Sequence, residues 1–189
     1  MAAAAALLAG GLAATTAQAG LEEGRSKAQV CMACHGADGN SPIPTIPSLA
    51  SQPRQFLVTA LYMFREGRRQ NDAMTPFVGK LSNADMNDLA QFFSAQKLAP
   101  PTRQASAELV SKGRAVTASN NCVACHTASL VGQQHIPRLA GQHREYLIEQ
   151  MHNFRTDVRD YSTARLMREV AKLMSEDEIN AVADYLNGQ

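Results

Sequence analysis

Apolar positions in the middle and at the end of the chain fall at helical spacing, and they do so twice. Met86, Leu89, Ala90 and Phe93 stand at i, i+3, i+4 and i+7, and Ile179, Val182, Ala183 and Leu186 repeat that spacing. Each run follows a capping-box pair, Ser82 with Asp85 and Ser175 with Glu178, so the pattern predicts two Ser-capped helices that each close a half of the chain. Two further helices are predicted over "RQFLVTALYMFRE" and "HREYLIEQMHNFR", with Pro53 where a first helical turn tolerates it and Gly67 just past the end. The segments "GADGNSPIPTIP" and "ASLVGQQHIP" read as loops. No stretch alternates apolar and polar residues long enough to make a sheet, so the predicted fold class is all-α.

The duplication extends beyond these helices. "VCMACHG" aligns with "NCVACHT" at an offset of 91 residues, and "IPSLASQPRQFL" aligns with "IPRLAGQHREYL" at 90. At an offset of 93, "LSNADMNDLAQFF" meets "MSEDEINAVADYL". One domain is written twice. The join lies in "KLAPPTRQAS", where Pro100 and Pro101 cannot continue a helix, which gives domains at 20–98 and 105–189 with a linker at 99–104. Residues 1–19 carry no charged side chain and end in Ala17-Gln18-Ala19, a small-x-small cleavage pattern; they read as a secretory signal although no Lys or Arg precedes the apolar run. The expected location is the periplasm.

Lys and Arg number 18 against 17 Asp and Glu, a balance that argues against a nucleic-acid partner. Copies of about 80–90 residues bury a modest share of their surface, so each is expected to need a cofactor or cross-link. The four cysteines supply the candidate. Cys31, Cys34 and His35 in the first copy match Cys122, Cys125 and His126 in the second, and Cys-x-x-Cys-His is the attachment sequence for c-type haem: both thiols add to porphyrin vinyl groups and the next residue offers an imidazole to the iron. A dithiol would leave the paired histidines unexplained, and a shared zinc site would merge two copies that each look complete. The expected cofactors are two haem c.

Each iron then needs a sixth ligand. The first copy holds no histidine besides His35, and methionine is the soft alternative. Only Met74 and Met167 align with each other, 39 and 41 residues after their histidines and 8 before the serine caps. They are expected on the loop entering the last helix; Met174 rivals Met167, and gap-filling core methionines are the plainer alternative. Arg54/Arg144 and Arg65/Arg155 are matched cations that suit either haem propionates or a solvated helix face. His135, His143 and His152 occur in the second copy alone and read as surface or loop residues.

Two Cys-x-x-Cys-His halves, each with "IPxLA" downstream, an aromatic-bearing helix and a Met before a Ser-capped helix, closely resemble the diheme cytochrome c4 family over residues 20–189. The resemblance implies two tandem class I cytochrome c-like domains, each enclosing one covalently attached haem. It also implies that the carbonyls of Pro47 and Pro137 accept hydrogen bonds from His35 and His126. The implied activity is outer-sphere electron transfer by a soluble or loosely membrane-associated carrier, from a respiratory complex or dehydrogenase to a terminal oxidase. An electron-accepting subunit of a dehydrogenase, such as a flavoprotein sulfide dehydrogenase, is the alternative. A diheme peroxidase fits less well, because His and Met together close both irons to substrate.

Overall fold

The computed structural model describes residues 20–100 and 105–189; the signal segment and most of the linker lie outside the described residues. The first copy comprises α1, described over residues 20–27, α2 (Gln29–His35), α3 (Arg54–Arg65), α4 (Thr75–Val78) and α5 (Asn83–Ser94). The second repeats the order with α6 (Ala107–Ser119), α7 (Val123–His126), α8 (Arg144–Arg155), α9 (Arg165–Leu173) and α10 (Glu176–Asn187). A single 3₁₀ turn, Ser162–Ala164, leads into α9. Among the described residues there is no strand, only an isolated bridge between Gln133 and Ile136.

Both serine-capped helices form, with the reciprocal capping box complete at Ser82/Asp85 and at Ser175/Glu178. Pro53 and His143 occupy the N-cap positions of α3 and α8, one residue earlier than a first-turn proline. The apolar faces of α5 and α10 then build the cores. Phe92 and Phe93 meet edge to face at 5.1 Å beside Leu57 and Leu89, while Ile179, Val182 and Leu186 pack with Leu147 and Met174. Burying a side chain such as Phe92 contributes about 1.5–3 kcal/mol.

In each copy the first helix crosses the last at a glycine. A Cβ on Gly24 would lie 2.2 Å from the Asp88 carbonyl oxygen, and one on Gly113 would lie 2.1 Å from that of Ala181. Phe92 and Tyr185 back these crossings with their own Cβ atoms at 2.7 and 2.5 Å. Glycine is therefore required on packing grounds in helices where it otherwise costs stability.

The copies meet through a duplicated clasp. Gln142 accepts from the Ser48 N–H at 2.9 Å and donates to the Ser48 carbonyl at 3.0 Å; Gln52 does the same to Arg138, again at 2.9 and 3.0 Å. Gln52 and Gln142 are buried repeat equivalents, as are Ser48 and Arg138, so the clasp is symmetric about the contact. His143 adds a bond to the Ser41 carbonyl at 2.9 Å, and Arg69 one to the Tyr146 hydroxyl at 2.9 Å.

Gly113→Ala is expected to destabilise the holoprotein by about 1–3 kcal/mol, the usual cost of overpacking, although alanine is the better helix former by about 1 kcal/mol. Guanidinium unfolding checks it, and an unchanged or raised midpoint would show that α6 and α10 have room to spare.

Candidate cofactor site

Helical geometry puts the cysteines and histidine of the first copy on one face. Cys31, Cys34 and His35 sit in α2 at i, i+3 and i+4, positions that stack along one side of a helix. In the second copy Cys122 stands at the N-cap of α7 in helical conformation, so a single turn keeps the same relation to Cys125 and His126. All six side chains line one continuous cavity of about 840 Å³, whose walls also include Met74 and Met167. Leu57 and Phe93 from the first copy, and Leu147 and Val182 from the second, contribute to its apolar lining.

Both histidines are nearly buried, at 7% and 5% exposure, and each Nδ1 lies 2.9 Å from a carbonyl, Pro47 for His35 and Pro137 for His126. A carbonyl only accepts, so Nδ1 carries the proton and Nε2 keeps a free lone pair. Burial lowers both imidazole pKa values, and the carbonyl bond offsets part of that shift, so the rings are neutral and ready to bind a metal. These are the bonds that the resemblance implied.

The cysteines are free of disulfides. Burial pushes the Cys31 and Cys122 thiols above their usual pKa, the opposite of the lowered value that a reactive dithiol uses. Among the described residues no group of three or more His, Cys, Asp or Glu is arranged to hold a metal ion.

Met74 occupies the N-cap position of α4 and is half-buried. Met167 departs from expectation: it lies inside α9, not on a loop. The first copy reads "MTPFVGKL", where Pro76 and Gly79 hold the helix to four residues; "RLMREVAKL" contains neither, and nine residues coil. Met167 packs at the edge of the cluster of Phe154, Ala164 and Ala171. Its rival Met174 is 6% exposed and belongs to the main core with Ile179 and Leu186.

The matched arginines that suited either haem propionates or a solvated helix face bond to neighbouring helices and loops and are not among the residues lining the cavity. Arg65 donates to the Leu81 carbonyl and Asn83, Arg155 to the Ala171 and Met174 carbonyls, and Arg144 to Asp184 and Asn180, so these cations tie helices together. Arg54 reaches Asn87 at 3.3 Å. The cavity is lined instead by Arg69, Arg138 and Arg159. Arg69 and Arg159 are repeat equivalents, stacked over the equivalent rings Phe64 and Phe154 at 4.5 and 4.1 Å and sharing the Gln150 side-chain oxygen. That 90-residue match was the available signal in the sequence. Among the described residues no carboxylate hydrogen-bonds any of the three, although the charge of Glu149 acts on Arg69, and the Nε atoms of Arg138 and Arg159 are buried without a partner. Burial and then the charge of Arg69 hold Arg159 below its usual pKa. Buried, unmatched cations call for an anion.

Of the histidines particular to the second copy, His135 is exposed at the cavity rim and His152 bonds Glu176 at 2.9 Å. His143 stands on the loop just before α8, half-buried, and from there reaches across the contact between copies.

An apolar cavity with two cysteine pairs, two neutral imidazoles and unpaired guanidiniums fits haem c, which brings vinyl groups, an iron and two carboxylates. The comparisons agree. Residues 110–189 match the family described as cytochrome c, and residues 22–93 match cytochrome c oxidase, cbb3-type, subunit III. Cytochrome c4 of Pseudomonas aeruginosa is 35% identical over 173 residues, spanning 87% of this chain and 86% of its own. The thiosulfate dehydrogenase electron acceptor of Thiomonas intermedia is 34% identical, spanning 86% and 80%. The crystal structure of reduced cytochrome c4 from Pseudomonas stutzeri superposes with a TM-score of 0.82 at 33% identity, covering 89% of this chain and 97% of that one. With the fold, the duplicated site and these relatives in agreement, the chain belongs to the cytochrome c4 family: it is an all-α diheme cytochrome of two cytochrome c domains that carries two haem c groups and transfers electrons.

Proposed function

We propose that Cys31 and Cys34 hold one haem by thioether bonds and Cys122 and Cys125 the other, with His35/Met74 and His126/Met167 as the axial pairs. The matched His–Pro hydrogen bonds carry this reading, since they fix both imidazoles in the tautomer that leaves Nε2 for iron. Met174 also lines the cavity, but Met167 is preferred because it is the repeat equivalent of Met74 and is less deeply packed than Met174, which is 6% exposed beside Ile179. Arg69, Arg138 and Arg159 would face the haem carboxylates. The cofactor supplies one-electron iron chemistry, and His/Met ligation raises its potential. The chain's own part is to hold the ring, exclude water with Leu57, Phe93, Leu147 and Val182, and fill both axial positions.

A site closed in this way passes electrons and admits no substrate, so the chain acts as a carrier and has no catalytic residues. We read domains at 20–98 and 105–189, joined by 99–104 and preceded by a signal at 1–19 that would export the carrier to the periplasm. No helix among the described residues is long and apolar enough to cross a membrane. A respiratory complex would be the donor and a terminal oxidase the acceptor. The Thiomonas intermedia relative favours a second reading, in which the donor is a dehydrogenase.

Met74→His is expected to keep its haem attached and to lower that site's potential by on the order of 0.1 V, within the roughly 0.8 V span that axial ligands cover. A spectroelectrochemical titration reads it, and two unchanged potentials would remove Met74 from the ligand set. The closed-iron reading also predicts that the reduced protein at neutral pH shows little spectral change under carbon monoxide. Rapid stoichiometric binding would reopen the peroxidase reading.

A further inference from the structure

The backbone clasp at the contact between copies is duplicated, and one deeply buried cation beside it is not. The clasp pairs Gln52 with Gln142 and the position of Ser48 with that of Arg138. Arg69 and Arg159 also occur once in each copy and stack on equivalent rings. At position 48 the first copy has a neutral serine; at the equivalent position 138 the second has an arginine that is only 2% exposed. Its guanidinium crosses the contact to the Ser48 and Ala50 carbonyls, at 3.3 and 3.0 Å, and turns back to the Ala140 carbonyl. No carboxylate partners it, its Nε is unpaired, and it lines the cavity.

Its location gives the charge leverage. Ser48 follows Pro47 and Arg138 follows Pro137, so the guanidinium bonds a carbonyl one residue along the chain from the one that holds His35, and its own backbone is one residue from the carbonyl that holds His126. Burial pulls the Arg138 pKa down to about 10, which leaves it protonated at neutral pH. Ferric iron carries one more positive charge than ferrous iron, so a buried cation disfavours oxidation, and away from water that effect is weakly screened. Arg138 gives two of its three carbonyl bonds to the first copy and one to its own, so its charge is placed unequally with respect to the two haem sites.

We propose that Arg138 is the residue that splits the two haem potentials, acting as a fixed, single-copy buried charge that crosses the contact toward the first copy. The proposal rests on haem c at both Cys-x-x-Cys-His segments and goes beyond it by assigning the inequality to one side chain. It is a positioning and tuning role: Arg138 touches neither iron.

The structure also supplies the decisive variant. Ala50 and Ala140 are repeat equivalents, so under the symmetry of the contact an arginine at 48 would find the carbonyls of 138, 140 and 50 in place of those of 48, 50 and 140. The double variant Ser48→Arg/Arg138→Ser therefore moves the charge to the other copy with its hydrogen bonds conserved. Arg138→Met removes the charge and keeps most of the bulk, and Arg138→Lys keeps the charge without the planar fork.

Potentials of the holoproteins are measured by titration, and each is assigned to its domain by the NMR signals of the axial methionines in the two halves. The signed difference between first-copy and second-copy potentials should shift in one direction from wild type to Arg138→Met and further in the same direction in the exchanged variant, while Arg138→Lys stays near wild type. An exchanged variant with the wild-type difference overturns the proposal, as does a lysine variant displaced as far as methionine, which would mark a purely structural role. If Arg138→Met does not fold, wild type, lysine and the exchanged variant still decide it. Pyridine haemochrome counts separate the layers: fewer than two haems per wild-type chain sinks the underlying reading, whereas two haems with an unmoved difference sinks the role of Arg138.

Discussion

The dipeptides Pro47-Ser48 and Pro137-Arg138 are the points to which the rest of the structure is tied. Each proline carbonyl accepts a hydrogen bond from the ring N–H of His35 or His126, and the next residue engages a glutamine of the other copy through both its N–H and its carbonyl. Orientation of the imidazole and docking of the copies are thus set by the same short stretch of backbone. Each such bond contributes about 0.5–1.5 kcal/mol net, yet leaving its buried partner unpaired costs about 1–3 kcal/mol. Loosening the contact therefore disturbs both cofactor sites.

Much of this architecture was legible in the chain. Apolar spacing and capping pairs located α5 and α10, and the duplication located both cysteine pairs, both histidines and one methionine pair. What escaped has a common cause. Gly24 and Gly113 are single residues whose role comes from the helix lying across them, and no periodicity announces a crossing. Met74 and Met167 were both expected on the loop entering the last helix; Met74 stands at the N-cap of the short α4, but Met167 lies within α9, which extends where Pro76 and Gly79 have no counterpart.

Charges were the hardest to place. Arg54, Arg65, Arg144 and Arg155 invited a cofactor role by matching across the repeat, and the fold uses them to tie helices together. Arg69 and Arg159 match equally well and face the cavity. Sequence cannot tell these sets apart, because a guanidinium reaches far enough to leave the face its Cα occupies. Arg138 and His143 were harder still, since each faces a neutral residue of the other copy and only the assembled contact shows what they touch.

The polar character of that contact suits its task. An apolar interface of similar size would hold two domains together, but side chains of that kind tolerate sliding and rotation at small cost. A glutamine amide reads one donor and one acceptor at fixed separation, so a pair of such clasps admits one register. Electron exchange between two irons depends on a constant separation and on surroundings that need not rearrange when charge moves. The backbone clasp provides the first. Buried arginines already oriented before the electron arrives provide the second, because their hydrogen bonds to carbonyls and to Gln150 leave the guanidiniums little freedom to follow the charge.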